Sequence, residues 1–117
     1  MSQSSRFAVF GIGRYGTQIA LALSAKGAEV FTFDVSPVRS ESIKDDVALA
    51  VTLDSTDIKA LETQRVQDMD AAIVAIGENF ESTVLTALNL LDLGVPRVIV
   101  RSNGEHQQRA PVQFGKA

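Results

Sequence analysis

The sequence contains no cysteine. That excludes disulfides, a cysteine-ligated zinc site and a thiol nucleophile. Histidine is almost missing as well: His106, near the C-terminal end, stands alone, and no Ser–His–acid or metal-ligand cluster can be read. There is no excess of positive charge. Eleven Lys and Arg face 14 Asp and Glu, for a net charge of −3, which argues against the concentrated basic face that nucleic-acid binding needs. No apolar run approaches the roughly 18 residues required to span a bilayer, and no long apolar stretch of a signal peptide follows the short polar segment Met1–Ser5. The expectation is a soluble, cytoplasmic domain. What is present is enough apolar residue for a real core, 45% of a 117-residue chain, and a length that predicts one domain.

Strand-like and helix-like segments alternate. Arg6–Phe10 reads as a strand, Arg14–Lys26 as a helix ended by Gly27, and Glu29–Phe33 as a second strand running into Asp34. Ser36 and Pro37 start a short helix to about Asp45. Val47–Val51 is strand three, and Ser55-Thr56-Asp57 caps a helix over 57–64. Ala71–Ile76 is strand four; Asn79 caps a long helix, Phe80–Leu93, ended by Gly94; Arg97–Val100 is strand five. A further helix could start over 104–109, although Pro111 opposes its continuation. The strands are continuous apolar runs, as parallel strands covered on both faces require. With right-handed crossovers this predicts an α/β, Rossmann-type doubly wound parallel sheet in three layers. Residues 1–5 are expected to be a disordered N-terminus, 6–109 the domain, and 110–117 a frayed or truncated end.

The first βα turn reads FGIGRYG. Gly11, Gly13 and Gly16 form G-x-G-x-x-G between a strand and a helix: the first permits the tight turn, the second lets a pyrophosphate approach the backbone, the third brings helix and strand together. The helix N-terminus then offers N–H groups and the positive end of its dipole to phosphates. Asp34 ends strand two about 20 positions later, the spacing of a ribose-binding acid; its charge disfavours a 2′-phosphate, hence NADP. The bland reading is a ligand-free glycine turn with Asp34 capping the next helix.

Other strand ends face the same crevice. Asp54, Ser55 and Thr56 follow strand three, on the adenine side of such folds, and can equally be a helix cap. Ala75, Ile76, Gly77, Glu78 and Asn79 follow strand four, and Arg101 ends strand five. Ile12 and Tyr15 in the turn, Val35, Ser36 and Arg39 after strand two, and Ser82 in the long helix complete the candidate nucleotide-binding set. Arg14 sits at a helix N-terminus, where a cation is locally unfavourable. That placement makes sense beside a polyphosphate, and with Arg101 it suits ADP or ATP better than NAD(H). Each arginine could instead be a solvated surface residue.

Catalytic equipment is not readable, and the nucleotide fold leaves no room for a substrate domain, so a binding or sensing module is favoured over an enzyme. The long helix carries Val84, Leu85, Ala87, Leu88, Leu90, Leu91 and Leu93, more apolar surface than one sheet can cover. A second subunit or the chain's own terminal segment would cover the rest.

The stretches VFGIGRYGTQIALALSAKGAEVFTFD and VAIGENFESTVLTALNLLDLGVPRVIVRSNGEHQQ resemble the RCK N-terminal (KTN) domain. They are most similar to the cytosolic nucleotide-binding subunits of Ktr- and Trk-type bacterial potassium uptake systems. The resemblance covers Arg6 to Gln108, and the Gly-Glu-Asn turn is its most specific part. It implies a regulator that binds ATP, ADP or NAD(H), assembles as dimers into an octameric ring and gates a potassium-translocating membrane subunit. It implies that Gly11, Gly13, Arg14, Tyr15 and Gly16 form the phosphate turn, with Arg14 reaching the terminal phosphate and Asp34 at the ribose. It also places Asp54, Ser55 and Thr56 at the adenine, with Gly77, Glu78, Asn79 and Arg101 along the remaining crevice. The segment RAPVQFGKA departs from the family's continuation into a sixth strand and a C-terminal subdomain.

Overall fold

The computed structural model describes residues 4–77, 79–101 and 112–115. The alternation seen in the sequence becomes β1 (Arg6–Phe10), α1 (Arg14–Ala25), β2 (Glu29–Asp34), α2 (Pro37–Ile43), β3 (Leu49–Thr52), α3 (Ile58–Glu62), β4 (Ala71–Val74), α4 (Phe80–Asp92), β5 (Arg97–Val100) and β6 (Val112–Gly115). The sheet order is β3-β2-β1-β4-β5-β6. The first five strands pair in parallel, so the doubly wound Rossmann-type architecture stands. β1 lies between β2 and β4, which makes its C-terminal end the point where the strand order reverses.

Two differences from the sequence reading have physical causes. A 3-10 turn at Lys44–Asp46 prolongs the descent of α2, so β3 starts two residues later than the apolar run suggests. Residues 112–115, expected in a frayed end, instead pair antiparallel with β5, Arg97 opposite Gly115 and Val100 opposite Val112. They satisfy the edge of β5, which would otherwise present a row of unpaired N–H and C=O groups. The expected helical start at 104–109 lies outside the described residues.

Three layers follow from strand alternation. On one face Ala8, Phe10, Phe33, Ala72, Val74 and Val98 pack against Leu61 of α3 and Ala87 and Leu90 of α4. The Phe10 and Phe33 rings stack at 4.7 Å between centroids. On the other face Val9, Val30 and Ile73 pack against Ala20 of α1 and Ile43 of α2. Both long helices end in the same way. Gly27 (φ 94°) and Gly94 (φ 92°) take the left-handed conformation just past α1 and α4. Their amides bond back to Ser24 and Leu91, and the next residues, Ala28 and Val95, bond to Leu23 and Leu90. This is the Schellman arrangement, and it satisfies carbonyls that the helix end orphans.

Candidate functional site

The chain turns from β1 into α1 through backbone that tolerates no side chain at two of its three glycines. A Cβ on Gly11 would lie 2.6 Å from the Ala75 carbonyl oxygen, and one on Gly16 would overlap the carbonyl oxygen of Gly11 itself. These two glycines lock β1, β4 and α1 together. Gly13 is different: a Cβ there would meet only Arg39 Nη1, at 3.9 Å. Its backbone, φ −92° and ψ −149°, lies outside the helical and extended regions, a conformation that glycine adopts with least strain. What sets Gly13 apart is that no described atom crowds its Cα, so the space above it is open.

Gly13 is the N-cap of α1 and provides no capping side chain. The first intrahelical bond runs from Thr17 N–H to Gly13 C=O. The amides of residues 14–16 have no hydrogen-bond acceptor among the described residues. Four orphan donors at a helix start want side chains, water or an anion. Arg14, exposed, adds a guanidinium that pairs with no described carboxylate.

At the end of β2, Asp34 is buried, and its carboxylate is held at two points. Oδ2 accepts from Ile12 N–H at 2.7 Å, and Oδ1 accepts from Ser36 N–H at 2.8 Å. Each oxygen keeps a second lone pair for a ligand hydroxyl. Arg39, on α2, places Nη1 3.9 Å from Asp34 Oδ2 with its side chain largely in solvent. Ser36 caps α2 through its hydroxyl.

These groups border a crevice of about 520 Å³ over the C-terminal ends of β1 to β4, within the size range of small-ligand sites. Gly11, Gly13, Arg14 and Tyr15 line it from the turn; Asp34, Val35 and Arg39 from β2 and α2; Asp54, Ser55 and Thr56 from the β3 end; Ala75, Ile76, Gly77, Asn79 and Ser82 from the β4 end and α4. Four of the expected residues do not line it. Ile12 contributes only its amide, its side chain lying in the α1–α2 core. Gly16 sits beneath the turn, Ser36 is a cap, and Arg101 lies to one side, with its guanidinium carbon 4.3 Å from the Tyr15 ring centroid. Glu78 and His106 lie outside the described residues. Phe33 and Leu53 also line the crevice. Sequence reasoning did not single them out; each directly precedes an aspartate at a strand end, and that adjacency was the signal available.

The β3-end loop is tied inward as well as outward. Ser55 is buried, and its hydroxyl shares a 2.6 Å hydrogen bond with Thr86 of α4, while Asn89 Nδ2 donates to the Ser55 carbonyl at 3.1 Å. Asp54 Oδ1 accepts from the Thr56 hydroxyl at 2.6 Å and the Thr56 amide at 3.0 Å. These two bonds, the hydroxyl's first, hold the Asp54 carboxyl below its ordinary range. Asp54 is thus an ionised acceptor at the crevice mouth. Among the described residues no group of three or more His, Asp or Glu side chains could hold a metal ion, and no helix is long and apolar enough to cross a membrane.

The model of the TrkA-N domain matches residues 7–115. The chain belongs to the TrkA-N family. Among curated relatives, this TrkA-N domain is 36% identical over 93% of its length to Ktr system potassium uptake protein C of Bacillus subtilis and covers 49% of that protein. It is 27% identical to Ktr system potassium uptake protein A of Bacillus subtilis, over 97% of its own length and 51% of the relative's. The domain thus spans about half the length of the curated relatives it matches. Among solved structures, the TrkA-N domain of the inner membrane protein ybaL from Escherichia coli superposes with a TM-score of 0.70 at 16% identity. The match covers 87% of this domain and 76% of that chain. A putative zinc-dependent alcohol dehydrogenase from Rhodobacter sphaeroides reaches 0.59 at 24% identity, covering 83% of this domain and 40% of that chain. At those identities both likenesses show a shared fold. The relatives tie the family to potassium uptake.

Proposed function

We propose that this domain is a regulatory module that binds an adenine nucleotide in the crevice and passes its occupancy to a potassium-translocating membrane subunit. The observation that supports this most is the start of α1, where uncapped amides, the open space over Gly13 and the unpaired Arg14 guanidinium converge. Together they form a receptor for a polyphosphate. Asp34, held at the end of β2, takes the ribose hydroxyls, and the loop at Asp54, Ser55 and Thr56 takes the base. ATP and ADP are favoured because Arg14 adds charge beyond what a diphosphate linkage requires. NAD(H) is the alternative ligand, since Asp34 would receive its adenosine ribose equally well. An oxidoreductase half-domain would need a catalytic partner domain.

Regulation requires that two ligand states bind two conformations differently, because equal affinity shifts nothing. In this reading Arg14 reads the number of phosphates. The outer face of α4, with Phe80 and Leu88 exposed at 80% and 52%, is the contact of a homodimer, which in a longer chain closes into an octameric ring. The site of action is the cytoplasmic face of the membrane, reached through the transporter subunit.

Calorimetric titration of ATP, ADP and NADH into wild type and Arg14→Ala tests the proposal, with sedimentation of the same samples. ATP is expected to lose about tenfold in affinity in the variant, equivalent to about 1.4 kcal/mol, and ADP less. Equal binding of all three by wild type, with no selective loss in the variant, would remove Arg14 from this role. A monomer under every condition would remove the dimer.

A further inference from the structure

Arg101 and Tyr15 meet across the part of the sheet that the crevice leaves out. Arg101 follows β5, its backbone anchored by its N–H donating to the Val74 carbonyl at 2.8 Å. Its side chain reaches past the end of β4 to the first turn of α1, where the guanidinium carbon stands 4.3 Å from the centre of the Tyr15 ring, a cation–π contact. The crevice is walled by the ends of β1, β2, β3 and β4, and no described residue of β5 borders it. In a doubly wound sheet a dinucleotide straddles the reversal point of the strand order. With adenosine at Asp34 and Asp54, a second nucleoside would need the β4–β5 side, where the Tyr15–Arg101 stack stands.

A second observation concerns the same arginine. Its Nε is buried and has no hydrogen-bond partner among the described residues. A charged donor left so is costly until an acceptor arrives. The ring contact takes none of the guanidinium's hydrogen bonds, and no described residue accepts from its Nη groups, which remain for an anion at the α1 N-terminus.

Building on the adenine-nucleotide reading above, we infer that the Tyr15–Arg101 stack is a selectivity element. It shuts the β5 side of the crevice against a second nucleoside and offers Arg101 to the terminal phosphate of a single nucleoside di- or triphosphate. Tyr15 acts here as a positioning residue, through Arg101.

The test is the ratio of ATP to NADH affinity, measured by calorimetry in wild type, Tyr15→Ala, Tyr15→Phe and Arg101→Gln. Wild type is expected to prefer ATP. Tyr15→Ala and Arg101→Gln should lower the ratio at least about tenfold, with NADH gaining in the alanine variant. Tyr15→Phe should keep the ratio within about twofold, because the ring that holds the guanidinium remains. Thermal melts identify any variant that fails to fold, and Arg101→Gln carries the test if Tyr15→Ala does not. The inference is overturned if the ratio stays within about twofold in the folded variants. It is equally overturned if all ligands weaken together, if phenylalanine behaves as alanine does, or if wild type binds NADH as tightly as ATP. If wild type binds no nucleotide at all, the nucleotide reading itself falls and takes this inference with it.

Discussion

Helices α1 and α4 resemble each other in length and differ at their starts. They span 12 and 13 residues and end in the same glycine-based cap. α4 begins conventionally: the Asn79 side chain accepts from Ser82 N–H at 2.9 Å, and Glu81 sits in the first turn, where an acid suits the dipole. α1 begins with a glycine that caps nothing, a basic residue where the dipole disfavours one, and no acid in its first turn. A helix whose end is stabilised from within has little left to offer an anion. A helix left unsatisfied at its positive end, over open space, keeps donors that a bound anion would satisfy. The outer faces differ too: α4 leaves Phe80, Val84 and Leu88 exposed in one i, i+4 row, surface that a partner would bury.

The comparison can be strained at several points. The largest effect is expected at Gly16, which joins α1 to the turn. Gly16→Ala drives a methyl into the Gly11 carbonyl, and since backbone cannot yield as a side chain does, the loss should exceed about 3 kcal/mol. Denaturant unfolding measures it, and a near-wild-type midpoint would mean the turn is looser than described. Next comes the α4 cap: Asn79→Ala should cost about 1 kcal/mol by the same measurement. If it costs nothing, the contrast between the two helix starts loses its energetic meaning. The smallest effect concerns Asp54. Its carboxyl is lowered by Thr56, so its contribution to stability is present above the ordinary carboxylate range and fades as pH falls through the lowered folded value. Thr56→Val removes the larger cause, the hydroxyl, and NMR titration should show the Asp54 carboxyl rising while staying below its ordinary range, held by the remaining amide bond.

Much of this was legible in the sequence for a local reason. β1, α1 and β2 carry their own periodicity and punctuation, and Gly27 and Gly94 announce the helix ends within a few residues of where they act. The glycine turn and Asp34 are likewise fixed by short spacing. What escaped depends on pairings distant in the chain. The strand at 112–115 is set by the open edge of β5, not by its own composition. Ser55 lines the crevice as expected, but its ties to Thr86 and Asn89 of α4 are not visible in its own surroundings in the chain. The contact of Arg101 with Tyr15 also escaped, because the two residues are far apart in the sequence. By contrast, the distinction between Gly13 and the other two glycines is already in the motif, which gives Gly11 and Gly16 to the turn and the helix–strand packing and Gly13 to the approach of a ligand.

That distinction gives the most direct measurement. Gly13→Ala adds one methyl where no described atom comes closer than 3.9 Å. Unfolding should shift by about 1–2 kcal/mol, the strain of this backbone conformation without glycine, while calorimetry should find ADP and ATP binding weakened at least about tenfold, because the methyl would stand where phosphates approach. A variant that folds as wild type does and binds both nucleotides with unchanged affinity would contradict the account at its centre.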